Sequence, residues 1–233
     1  MKRTVLFSVG LVCFAFCLSS AAWTEDGHCD RSKRYASLGE QVQQSLQQGG
    51  LVSEVNTDTT SEYHMAYVYK LVSHPPEVVM AVFTNYEAHK DHISNIRQVS
   101  VEDQKANYAR VRFVYNLPWP FPDSEYVLND TVVQEGETYL LYWDLHPSSP
   151  TGLSAPKHVE GYFRTEPVGS QTLIIYCNYV IPATGLFPRK VNSDGLKAMQ
   201  TTLNDTARWV DTIAAEPEVS DQRIGRLRAM LAR

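Results

Sequence analysis

Gln171-Thr172-Leu173-Ile174-Ile175-Tyr176-Cys177-Asn178-Tyr179-Val180-Ile181, with the helical stripe that follows it, decides how this chain folds. The stretch is apolar and aromatic, is bounded by turn-formers and is too short to span a bilayer, so it reads as a strand. After it, Leu196, Met199, Leu203, Thr206, Val210 and Ile213 recur at spacings of three and four. That periodicity predicts one long amphipathic helix, closed by Glu216-Pro217. Residues 217–233 form a tail that reads as a loosely attached basic helix.

Upstream, strands follow one another with little between them. The segments are Arg97 to Gln104, Tyr108 to Leu117, Ser124 to Gln134, Thr138 to His146 and His158 to Glu166. Their joints, such as Glu135-Gly136-Glu137 and Val168-Gly169-Ser170, are turn chemistry. Consecutive strands on short turns make an antiparallel meander. Before them, Pro75-Pro76 opens a helix striped by Val78, Val79, Val82, Phe83 and Tyr86, and a short charged segment leads on to Ile93. A β pattern starts at Leu51, with Tyr63, Met65, Tyr67, Tyr69 and Leu71 alternating along a long strand. Tyr35, Leu38, Val42 and Leu46 mark an earlier helix, stopped by Gly49-Gly50.

The first residues belong to export rather than to the fold. Lys2 and Arg3 precede an uncharged apolar run, Val5 to Leu18, and Ser20-Ala21-Ala22 supplies small residues for cleavage. This is the pattern of a secretory signal peptide, residues 1–22, and it implies a soluble periplasmic or secreted protein. Residues 23–50 are then a lead and a helix, and 51–216 the main domain. Without Lys2 and Arg3 the chain has 19 basic against 26 acidic residues, a net −7. An acidic chain with no basic cluster is not built to neutralise phosphates, which excludes nucleic acid as a partner. Cys13 and Cys17 leave with the signal, so Cys29 and Cys177 remain. Export allows them to pair; the alternative is one buried thiol and one in a flexible lead.

The order of elements predicts an α+β domain: an antiparallel sheet of about seven strands, curled around the long helix, with two short helices after the first strand. This order resembles the helix-grip fold of the START-like (SRPBCC) superfamily, which includes lipid-transfer, polyketide-cyclase and plant Bet v 1-like proteins. His74-Pro75-Pro76-Glu77-Val78-Val79-Met80-Ala81-Val82-Phe83-Thr84-Asn85-Tyr86 is similar to that family's opening helix. Asn116 to Val127, with Trp119-Pro120 at its turn, resembles a START segment in which Arg-Asp precedes a strand; here Glu125 and Tyr126 take those places. Ile181 to Asn192, rich in Gly and Pro, is similar to the loop before the family's last helix.

The resemblance to the START branch implies an internal cavity for a hydrophobic small molecule, such as a lipid, sterol or quinone, in a monomer that touches a membrane surface transiently. The expected liners are Phe113, Tyr115, Leu141, Trp143, Tyr162, Ile174 and Tyr176 from the strands, with Met199 and Leu203 from the long helix. Both faces of the strands carry aromatics, so alternation does not settle which face is inward. Arg112 and Glu160 are candidates for a polar anchor, and Leu186 and Phe187, beside Arg189 and Lys190, for a membrane-touching entry loop.

Catalytic chemistry has few candidates. His89-x-x-His92 lacks a third ligand at a recognised spacing, so neither a metal site nor a cofactor is expected. No phosphate loop or nucleophile elbow occurs. The alternative function is a cyclase- or dehydratase-like enzyme using the same cavity. Asn129-Asp130-Thr131 and Asn204-Asp205-Thr206 are formal glycosylation sequons, the second within the long helix.

Overall fold

The computed structural model describes residues 29–57, 61–116, 123–152, 155–183 and 187–232. The signal-peptide reading of residues 1–22, the Trp119-Pro120 turn and Leu186 therefore lie outside the described residues. The helices are α1 (Glu40–Gln47), α2 (Pro76–Phe83), α3 (His89–His92), α4 (Pro188–Ala214) and α5 (Pro217–Leu231). Eight strands make one sheet: β1 (Leu51–Asn56), β2 (Met65–Val72), β3 (Ile96–Lys105), β4 (Tyr108–Tyr115), β5 (Ser124–Glu135), β6 (Thr138–Leu145), β7 (Pro156–Val168) and β8 (Gln171–Pro182). The count exceeds the expected seven because the β pattern from Leu51 breaks into two paired strands, β1 and β2.

Every neighbouring pair is antiparallel, in the order β1-β2-β8-β7-β6-β5-β4-β3. The consecutive strands β3 to β8 neighbour one another, and β3–β4, β5–β6 and β7–β8 are each joined by a two-residue turn. At the β7–β8 joint, Gly169 takes φ +60°, a conformation that a β-carbon penalises. The last strand, paired with β7 along one edge, returns to pair with β2 along the other. The curved sheet holds α4 against its inner face, while α2 packs on α4, β6 and β7, and α5 covers α2 and α4.

The inner face is buried along the sheet, and the outer face is buried where a cover lies over β2, β7 and β8. On β8, Ile174 and Tyr176 join the inner core with α4, whereas Leu173, Ile175 and Cys177 join a separate outer cluster. The outer cover is the segment from Cys29 through α1, which brings Tyr35, Leu38, Val42 and Leu46. A disulfide between Cys29 and Cys177 fixes that segment to β8. Tyr162 donates its hydroxyl proton to the Asp30 carbonyl at 2.8 Å, and Tyr69 donates to Glu54 at 2.7 Å. The Lys33 ammonium sits 4.6 Å from the centre of the Tyr67 ring.

Candidate ligand cavity

A cavity of about 40 Å³ lies between the inner face of the sheet, the C-terminal end of α2 and the middle of α4. Its apolar wall begins with Phe83 of α2 and continues through Ile93 and Ile96 to Phe113 of β4. Leu128 of β5, Trp143 of β6 and Val159 of β7 complete it. Tyr86, His89, Tyr115, Tyr126, Asp130, Tyr176, Asn178 and Thr202 supply the polar atoms. No lysine or arginine is among the lining residues.

Strand alternation explains this set. Tyr126, Leu128, Asp130 and Val132 stand two apart on β5 and share the inner face. On β7, Gly161 lies opposite Trp143 in register. A β-carbon there would stand 2.6 Å from the Trp143 ring and closer still to the Cys177 carbonyl oxygen. Glycine thus lets the indole lie across the strand, and Trp143 Nε1 donates to Asn178 Oδ1 at 3.3 Å. Stacked rings occupy much of the interior: Tyr115 on Tyr126 at 5.1 Å and Phe83 on Phe163 at 3.8 Å.

The electrostatics centre on two groups. Asp130 is 3 % exposed, and its carboxyl accepts a hydrogen bond from the Tyr86 hydroxyl while Oδ1 has no partner. Burial pushes its pKa up to about 7; the Tyr86 bond opposes that shift and the nearby Asp144 charge adds to it. His89 is 2 % exposed, with Nε2 at 2.6 Å from the Phe83 carbonyl oxygen. A carbonyl has no proton to give, so Nε2 carries the hydrogen and Nδ1, which has no partner, is a bare acceptor. Burial pushes the His89 pKa down to about 4, so the ring is neutral. The Tyr115 hydroxyl donates to Tyr126, and burial raises both phenols well above their usual range.

Of the expected liners, Phe113, Tyr115, Trp143 and Tyr176 border this cavity. Leu141, Ile174, Met199 and Leu203 belong to the surrounding inner core. Three residues lie elsewhere and correct the expectation. Tyr162 is on the outer face, fully buried under the N-terminal segment. Arg112 is outside as well, bridging Glu102 and Glu125. Glu160 accepts from the Cys29 backbone N–H at 3.0 Å, so it secures the outer cover. Phe187 is 64 % exposed at the start of α4. The His89–His92 spacing serves packing: His92 stacks on Trp209 at 4.5 Å, while His89 turns inward.

Sequence reading missed Asp130, Tyr86 and His89 as a group. The available signal was the register of β5, which puts a carboxylate in line with Tyr126, Leu128 and Val132.

No family model matches the sequence, and no curated protein matches it. Solved structures do. A STAR-related lipid transfer protein fragment from Xanthomonas axonopodis superposes with a TM-score of 0.64 at 13% identity, over 70% of this chain and 94% of its own. Human STARD10 gives 0.66 at 15% identity, over 78% and 77%. Human StAR-related lipid transfer protein 5 gives 0.59 at 12% identity, over 70% and 83%. The chain has the helix-grip fold of the START-like superfamily.

Proposed function

We propose that this chain is an exported protein that binds a hydrophobic small molecule between the inner face of its sheet and α4. The observation that carries the reading is the cavity itself, an aromatic enclosure holding buried polar atoms without partners. Such atoms lose their water without regaining a hydrogen bond, so they mark a place where a ligand or water atom belongs. The lipid-transfer neighbours support the same reading, and the Cys29–Cys177 disulfide suits an oxidising compartment.

The cavity has room for about three waters. Ligand pockets are typically ten times larger or more, on the order of 300–1,000 Å³. Binding a larger molecule therefore requires lining rings, the Tyr115–Tyr126 stack among them, to swing aside. Burying about 300 Å² of ligand surface would contribute about 7 kcal/mol before ordering costs. Phe187, exposed in a left-handed backbone conformation beside Arg189 and Lys190, is the contact to a membrane surface from which such a ligand enters.

A second reading is favoured by one feature: a buried carboxyl of near-neutral pKa beside a tyrosine is suited to general acid–base work. In that reading the cavity transforms its ligand. Native mass spectrometry of the mature protein from its own host, followed by organic extraction, tests both. The expected result is one stoichiometric apolar molecule that is recovered unchanged after incubation with fresh protein. Conversion of that molecule moves the conclusion to an enzyme. An empty protein that also refuses a broad lipid panel overturns ligand binding.

A further inference from the structure

Resting on the reading of this cavity as a ligand site, we propose that the polar end of the ligand is an ammonium group, held by Asp130 and His89 within a ring of aromatic side chains. The argument starts from the two atoms without partners. Asp130 Oδ1 and His89 Nδ1 are both acceptors, both are buried, and both residues line the same space. A hydroxyl brings one hydrogen and satisfies one of them. An ammonium brings three and satisfies both.

Charge points the same way. An ionised Asp130 has no cation among the lining residues, and a buried charge without a counter-charge is costly. A carboxylate or phosphate ligand would add a second negative charge beside the first. A cationic ligand would neutralise it. The walls suit a cation too, because Phe83, Tyr86, Phe113, Tyr115, Tyr126 and Trp143 present aromatic rings to the cavity.

Recognition of this kind follows pH. The titratable groups around Asp130 are Tyr86 before α3, His89 and His92 on α3, Tyr115 on β4, Tyr126 on its own strand, Asp144 on β6 and Tyr176 on β8; α4 brings Thr202, which does not titrate, and α5, which also touches β5, brings Arg223, whose charge acts on His92. The phenols stay neutral, and burial holds both histidines below their usual range. Asp130 is thus the group that changes charge near neutrality. An ammonium needs the carboxylate, so its affinity rises with pH and levels off above the Asp130 pKa. Between pH 5 and pH 8 the gain is about 100-fold.

The test uses the full mature protein and three probes with one tail: decylamine, decanol and decanoate, each below its aggregation concentration, by isothermal titration calorimetry. The expected result at pH 8 is decylamine bound more than about tenfold tighter than decanol, with decanoate weakest. The preference should vanish in Asp130→Asn, which keeps the shape, while decanol binding persists. Equal affinity for amine and alcohol, or a decylamine affinity flat from pH 5 to pH 8, overturns the ammonium assignment and leaves the cavity reading standing. Failure of all three probes overturns both. The pH series on the unaltered protein decides the question even if Asp130→Asn does not fold.

Discussion

Tyr67, Tyr69 and Tyr162 on the outer face of the sheet each reach a hydrogen-bond partner, whereas Asp130 and His89 behind the inner face each keep an acceptor with none. Where the N-terminal segment lies over β2, β7 and β8, both faces draw on aromatic residues and both are buried. They differ in what covers them. The outer cover is a short N-terminal segment tied down by a disulfide, by backbone hydrogen bonds to Glu160 and Glu166 and by Lys33 and Arg31 over tyrosine rings. Such a cover follows the sheet closely and leaves its polar atoms paired. The inner cover is a long helix that meets the sheet along one stripe, and the concavity beneath its middle is filled by rings and a small cavity. One face has its polar groups paired, and the other keeps unsatisfied groups around a cavity.

Breaking the outer cover has the largest expected effect. The disulfide closes a loop with a sequence separation of 148 residues. Loop-closure entropy for that span is about 5 kcal/mol, so Cys29→Ser with Cys177→Ser should lower stability by about 4–5 kcal/mol. Urea unfolding measures it. A loss below about 1 kcal/mol would show that the hydrogen bonds alone hold the segment, and that the outer face does not depend on its clamp.

The inner face predicts an unusual pH profile. Asp130 has a raised folded-state pKa, so its contribution is complete below the unfolded value and is lost as pH climbs to about 7. The loss amounts to about 4 kcal/mol. His89 has a lowered folded-state pKa, so its contribution is present above the unfolded value and is lost as pH falls towards about 4. That loss is about 3 kcal/mol. Between these limits the slopes have opposite signs and nearly cancel. Asp130→Asn should remove one of them, so that stability rises with pH at about 1.4 kcal/mol per pH unit from pH 4 to 6.5. Denaturant midpoints across that range check it, and an unchanged slope would remove Asp130 from the buried set.

Gly161 sits where the inner face meets the backbone of β8, since a β-carbon there would strike both the Trp143 ring and the Cys177 carbonyl oxygen. A carbonyl oxygen cannot rotate away as a side chain can. Gly161→Ala should therefore cost about 3 kcal/mol, read by thermal unfolding, and should disturb Trp143 fluorescence. A neutral result would mean that β7 shifts freely, contrary to a sheet packed on both sides.

The elements behind this contrast were legible before the structure, the contrast itself was not, and the reason is physical. Leu196, Met199 and Leu203 announced α4 because a helix against a sheet needs only one apolar stripe. Phe113, Tyr115, Trp143 and Tyr176 lie on the inner face, but alternation groups residues by face without saying which face is inward when both carry aromatics. Tyr162 shows the limit, because β7 is apolar on both sides: Phe163 packs inward while Tyr162 packs under a cover that alternation cannot reveal. Asp130 was hidden by its neighbours, since Asn129-Asp130-Thr131 reads as a surface sequon. Its parity with Tyr126, Leu128 and Val132 was the better guide. Glu160 carried a similar trap, for a charge inside an apolar strand suggested a ligand anchor and instead holds the backbone of Cys29.

The smallest expected effect belongs to Arg112, and it sharpens the comparison most directly. Arg112 also sits amid Val111, Phe113 and Val114, and so looked like a cavity anchor. The structure turns it outward, where it donates to Glu102 at 2.7 Å and to Glu125 at 2.6 Å with its side chain 32% exposed. An exposed ion pair of this kind is screened by water and salt and contributes about 0.5–1 kcal/mol. Arg112→Gln should therefore shift the urea midpoint slightly, less so in high salt, and leave the affinity for decylamine unchanged. Asp130→Asn, measured alongside, should do the reverse and abolish the amine preference. A tenfold loss of affinity in Arg112→Gln would mean that the charge on the outer surface reaches the ligand through the sheet, and the division of labour between the two faces would fail.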